Sequence, residues 1–141
     1  MGLLDDYSKG VGSPRPKWTH QYAMARAIHR MYDEVELKDL QIASEITVTD
    51  DWDDLAPDLV IFDKQDNPVT IIEITTHKQF KQIINKCYDL IERFPDAEYF
   101  VYDYERLQLY MYNVEDNRWL SSDEYNLYSA CLKDPVINYF I

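Results

Sequence analysis

Pro57-Asp58-Leu59-Val60-Ile61-Phe62-Asp63-Lys64-Gln65-Asp66-Asn67-Pro68-Val69-Thr70-Ile71-Ile72-Glu73-Ile74-Thr75 is the stretch on which the fold turns. Leu59-Val60-Ile61-Phe62 is a short apolar run of strand type, and residues 69–75 form a second run rich in β-branched side chains. Lys64-Gln65-Asp66-Asn67-Pro68 between them is turn material. The pair is predicted to form an antiparallel hairpin. A turn near Asp66 sets the start of the first strand opposite the end of the second, so Asp58 and Glu73 become neighbours across fourteen intervening residues. Strand side chains alternate faces, so Glu73 and Thr75 point the same way. Two converging carboxylates repel, and a proton or a hard divalent cation must neutralise them. An all-oxygen donor set suits Mg²⁺ or Mn²⁺.

Upstream, residues 18–32 have helical spacing, with Met24, Ile28, Met31 and Val35 on one face and Arg26 and Arg30 four apart on another. Ala23, Ala25 and Ala27 add helix propensity. Residues 41–49 form a strand with Ile42, Ile46 and Val48 as its apolar members, and Glu45 on it is either a further acidic ligand or an exposed side chain. Asp50-Asp51-Trp52-Asp53-Asp54 lacks the Gly and the closing Glu of an EF-hand, so it is predicted to be an exposed acidic turn. Downstream, Phe80, Ile83, Ile84, Cys87, Tyr88 and Ile91 follow a 3.6-residue period, with Thr76 as a candidate cap and Phe94-Pro95 as the stop. Residues 98–103 and 107–113 are two more strands, and Ser121-Ser122-Asp123-Glu124 is predicted to cap a short helix running to Cys131. The order is α-β-β-β-α-β-β. A helix between strands permits a crossover, so the expected fold is α/β (α+β) with a central mixed sheet flanked by helices.

The chain has 141 residues, a length that suggests one domain over 1–141, with residues 1–16 as a Gly- and Pro-containing flexible lead-in. With 46% hydrophobic and 28% charged residues it can build an ordinary core. No apolar run approaches the ~18 residues of a membrane span. Two cysteines and no signal-peptide pattern at the N-terminus lead us to expect a cytoplasmic protein. The net charge of -12 is uneven: residues 1–32 sum to +3, 33–75 to -11, 76–93 to +2 and 94–141 to -6. Overall acidity opposes extended nonspecific wrapping of nucleic acid but leaves local basic patches. With three Gly in all, a phosphate-cradling loop is hard to build, and GxSxG and HExxH are absent.

In the order of these motifs the sequence resembles the PD-(D/E)XK nuclease superfamily, and within it the bacterial restriction endonuclease family of the Uma type. Ser13-Pro14-Arg15-Pro16-Lys17-Trp18-Thr19-His20-Gln21 resembles that family's lead into its first helix. Pro57-Asp58 with Ile72-Glu73-Ile74-Thr75 resembles its acidic core. Ala97-Glu98-Tyr99-Phe100-Val101-Tyr102-Asp103 with Leu109-Tyr110-Met111-Tyr112 resembles its late hairpin. The resemblance implies a restriction-endonuclease-like fold that hydrolyses DNA phosphodiester bonds, with Asp58, Glu73 and the Ile74 carbonyl as metal ligands. The metal would polarise a phosphate and help generate hydroxide. Arg15, Lys17, Arg26 and Arg30 would approach the phosphates.

One departure stands out. The superfamily's lysine, two residues after the acid, is Thr75 here. Thr cannot supply the positive charge, so Lys78 or Lys81 at the start of the next helix is expected to reach back. His20 and Gln21 are candidates to line the site, and His77 is a weaker one. Two other classes stay open: a nuclease-like fold that has lost catalysis and serves as a binding or regulatory module, and a small acidic partner protein that forms a homodimer through the tyrosine-rich late hairpin of Tyr102, Tyr110 and Tyr112.

Overall fold

A computed structural model describes residues 18–34, 39–44 and 56–141. Helix α1 spans Trp18–Glu34, and strands β1 (Gln41–Ser44), β2 (Leu59–Phe62) and β3 (Pro68–Thr75) follow. Helix α2 spans Phe80–Arg93, followed by β4 (Glu98–Asp103), β5 (Gln108–Asn113) and β6 (Arg118–Ser121). These six strands form one sheet in sequence order. Every neighbouring pair is antiparallel except β3 with β4, which run parallel. A parallel pair needs a crossover, and α2 provides it. The fold class is therefore mixed α+β, as the order of apolar runs implies.

The central hairpin has the expected register. Leu59 lies opposite Ile72 and Val60 opposite Ile71, so Asp58 falls beside Glu73 one step past the ladder. Asp63 Oδ1 accepts the amides of Gln65 and Asn67 and closes the turn. Asp66 there takes a positive φ of 61°, a conformation Asp tolerates better than most residues.

Alternation along the strands divides the core into two layers. On one face Leu59, Ile61, Ile72, Ile74, Phe100, Tyr102 and Leu109 pack against Met24, Ala27 and Met31 of α1. On the other, Val60, Phe62, Ile71 and Tyr99 pack with Leu90 of α2. The buried side of α2 is centred on Cys87 and Leu90, and Tyr88 is an exposed rim residue in ring contact with Tyr112 and Trp119.

Two expectations need correction. The chain from Ser121 to Cys131 is not a helix. Residues Arg118–Ser121 pair with β5, and Ser122 ends that ladder by accepting the Leu109 amide on Oγ and donating its own amide to the Leu109 carbonyl. A serine used in this way cannot cap a helix. The chain then forms a small hairpin of β7 (Tyr128–Ser129) and β8 (Asp134–Pro135) and a 3-10 turn over Val136–Tyr139. Strand β5 is also not an edge, because β6 covers it, and Tyr102 is buried in a stack with Phe140. A dimer therefore cannot form by edge pairing at Tyr110 and Tyr112. The Ile46, Val48 and Val35 expectations and the acidic stretch 50–54 lie outside the described residues.

The C-terminal segment is tied down by polar side chains. Glu98 Oε2 accepts the hydroxyls of Thr70 at 2.8 Å and Ser129 at 2.6 Å, and its Oε1 accepts the Ala130 amide at 2.6 Å. Truncating this carboxylate leaves three donors without an acceptor. Glu98→Ala is expected to lower unfolding free energy by about 2–4 kcal/mol in urea titration and to raise amide exchange around Leu132. A loss below about 0.5 kcal/mol would show that this staple does not hold the segment.

Candidate active site

Asp58 and Glu73 meet at the open end of the β2–β3 hairpin. The Asp58 amide donates to Glu73 Oε1 at 2.9 Å, and Asp58 Oδ2 accepts the Ile74 amide at 2.8 Å. Each carboxylate thus takes a main-chain donor of the opposite strand. This exchange fixes both side chains where the regular ladder stops. Glu73 is fully buried on the α2 side of the sheet, while Asp58 is partly exposed.

Two helices approach this pair. From α1, His20 Nε2 lies 3.3 Å from Asp58 Oδ2. From α2, Lys86 Nζ donates to Glu73 Oε2 at 2.8 Å and to the Ala56 carbonyl at 2.8 Å. Lys86 is the side chain at this pair that sequence reasoning missed. Its position follows from element geometry. After Glu73 the chain climbs two more strand residues, roughly 7 Å, before turning into α2. The helix then descends, and six residues from Phe80 to Lys86 bring it down roughly 9 Å. Lys86 therefore returns to the level of Glu73. Lys78 and Lys81 stay above it, exposed, with no ion pair to either carboxylate. Proximity along the chain pointed to Lys78 and Lys81, whereas the return of α2 along the sheet selects Lys86.

The other candidates are dispersed. Thr75 is buried, and its hydroxyl donates to the Thr76 carbonyl at 3.0 Å. Ile74 gives its amide to Asp58 and its side chain to the α1-side core. His77 donates its amide to Glu105, and its ring is 3.9 Å from Asp103, not at the Asp58–Glu73 pair. Gln21 is exposed on α1. Arg30 does not face outward toward a phosphate. Its Nη1 donates to the carbonyls of Asn138, at 3.0 Å, and Ile141. Arg26 is half-buried, and its charge acts on Tyr102. Arg15, Lys17 and Glu45 lie outside the described residues.

Electrostatics single out Glu73. Burial, reinforced by the Asp58 charge and opposed by Lys86, pushes its carboxyl up to about 7. Burial pushes the thiol of neighbouring Cys87 up as well, with the Glu73 charge adding to it, so this thiol is a poor nucleophile. The two carboxylates are hard oxygen donors. Such a set fits Mg²⁺ or Mn²⁺, which keep much of their shell as water or substrate phosphate. Among the described residues no cluster of three or more His, Cys, Asp or Glu side chains is arranged to hold a metal, so no protein-only cage is present.

No family model matches the chain, and no curated protein matches it. Its structure is similar to the crystal structure of a "putative nuclease belonging to DUF820" from Anabaena variabilis ATCC 29413. The TM-score is 0.65 at 13% sequence identity, over 90% of this chain and 83% of that one. The fold is nuclease-like. At this identity the likeness concerns the fold alone. No helix among the described residues is long and apolar enough to cross a membrane.

The shifted Glu73 carboxyl makes a linkage prediction. Its folded value lies above the ordinary 4.5, so the folded chain binds the proton more tightly than the unfolded chain. Its contribution is fully present in acid and is lost as pH rises from about 4.5 to about 7. The loss amounts to about 3 kcal/mol. Glu73→Gln removes this dependence. In urea titrations the stability of Glu73→Gln relative to wild type should therefore grow by that amount across the window. A difference that stays flat with pH would sink the assignment.

Proposed function

We propose that the protein is a metal-dependent nuclease of the restriction-endonuclease-like class that hydrolyses DNA phosphodiester bonds. The observation that carries this reading is Lys86 on Glu73, beside Asp58. The acid, acid and lysine set that the resemblance calls for is assembled in space although Thr75 stands where the motif lysine would be. Asp58, Glu73 and the Ile74 carbonyl would hold Mg²⁺ or Mn²⁺, which supplies Lewis acidity to the phosphate and lowers the pKa of water. Lys86 brings a positive charge to the place where negative charge develops, a role the neutral Thr75 cannot fill. His20 restrains Asp58 from the opposite face, so that its carboxylate keeps one orientation. Lys78 and Lys81, exposed where β3 passes into α2, would meet a phosphate backbone. The nuclease-like architecture of the Anabaena protein supports the reading at the level of fold.

A second reading, a nuclease-like module that binds without turnover, draws on the net charge of -12 and on Arg30, which is spent on the C-terminal backbone. Cleavage assays separate the two. Purified protein with supercoiled, linear and single-stranded DNA should show Mn²⁺- or Mg²⁺-dependent nicking that chelation abolishes. Asp58→Ala, Glu73→Ala and Lys86→Ala should each lower the rate about 100-fold or more with an unchanged circular dichroism spectrum. Cleavage by Glu73→Ala equal to wild type would reject the site. Metal binding with no cleavage of any substrate would favour the module.

A further inference from the structure

We infer that Lys86 is an internal counter-cation that a divalent metal must displace, so that loading the site exchanges one cation for another. The inference rests on the metal-site reading above and concerns how that site is regulated. Glu73 has its Oε1 taken by the Asp58 amide at 2.9 Å, and its Oε2 faces the Lys86 ammonium at 2.8 Å. The side chain of Glu73 is 1% exposed and that of Lys86 is 24% exposed. A metal on Glu73 Oε2 would therefore lie within roughly 4 Å of the ammonium in a partly buried site, where two positive charges repel strongly. One oxygen can serve both, but at this separation the two cations oppose each other, and loading the metal favours moving the flexible one.

Lys86 is built to yield. Its second contact is a single main-chain carbonyl, that of Ala56, and its ammonium sits on a flexible four-carbon stem with an open side toward solvent. The ammonium offsets the repulsion between Asp58 and Glu73. Once displaced, it is released beside the scissile phosphate, where the proposed reaction needs a positive charge. One residue thereby serves the metal-free site and the loaded site in succession. The coupling is reciprocal: whatever the lysine takes from metal affinity is returned when the lysine is removed. The site thus has a counterintuitive property, in that the residue which supports turnover weakens metal binding.

The test is calorimetric titration of Mn²⁺ into wild type, Lys86→Ala, Lys86→Met and Glu73→Ala, at one mildly alkaline pH. Melting temperatures are measured with and without Mn²⁺. Lys86→Met keeps the apolar stem and covers the case in which Lys86→Ala folds poorly. The expected result is Mn²⁺ binding at least about tenfold tighter in the Lys86 variants than in wild type. The metal-free variants should melt lower than wild type and gain more on adding Mn²⁺. Binding by Lys86→Met with none by wild type would be the same result in stronger form. Equal or weaker binding by both Lys86 variants, with wild-type binding intact and lost in Glu73→Ala, would overturn the displacement and leave the metal site standing. No binding by any variant would overturn the metal site and the displacement with it.

Discussion

A glutamate buried against a second carboxylate is the constraint around which the rest of this structure is arranged. Desolvating a carboxylate is costly, and placing Asp58 beside it raises that cost. Three donors offset it: the Asp58 amide, the Ile74 amide for the partner acid, and the Lys86 ammonium. They come from two levels of organisation. The amides are available because the β2–β3 ladder ends one residue short of the pair. The ammonium is available because β3 and β4 are parallel, which forces the chain through α2 and lays that helix back along the sheet.

The opposite face of the sheet serves the site from a distance. Helix α1 brings His20 to Asp58, so α1 must be held in one position along the strands. Met24, Ala27 and Met31 hold it through the core, and Arg30 ties it to the C-terminal turn through the carbonyls of Asn138 and Ile141. That turn is held in its place by Glu98 acting on Ser129 and Ala130. The polar residues of the C-terminal segment thereby tie α1 to the sheet on one face. A guanidinium with several planar donors suits this capping of main-chain carbonyls better than a point charge would. Its use there explains why a basic residue on a helix surface need not mark a nucleic-acid face.

Much of this was legible from local pattern. Apolar and β-branched runs identified β2 and β3, alternation identified β5, and the turn chemistry around Asp66 set the β2–β3 register closely enough to pair Asp58 with Glu73. The C-terminal segment was not legible. Ser121-Ser122-Asp123-Glu124 has the composition of a helix cap, yet Ser122 bonds to Leu109, thirteen residues upstream. A cap motif and a ladder terminus use the same hydroxyl chemistry, and only the presence of β5 alongside decides between them. Tyr88 shows a similar limit. The helical period of α2 placed it on the buried face, but it stands one residue round the helix from Cys87, at the rim beside Trp119.

By itself the sequence determined the hairpin, the mixed α+β order and the meeting of two carboxylates, because these depend on side-chain period and on turns only a few residues long. Tertiary structure alone decided which lysine serves the carboxylates, which arginines are spent on the backbone, and that the late tyrosine strand is not an edge. Those outcomes depend on where one element comes to rest on another. Lys86 and Glu73 are brought together by the rise of a strand and the return of a helix, a distance set by three-dimensional packing and not written in the spacing of the residues themselves.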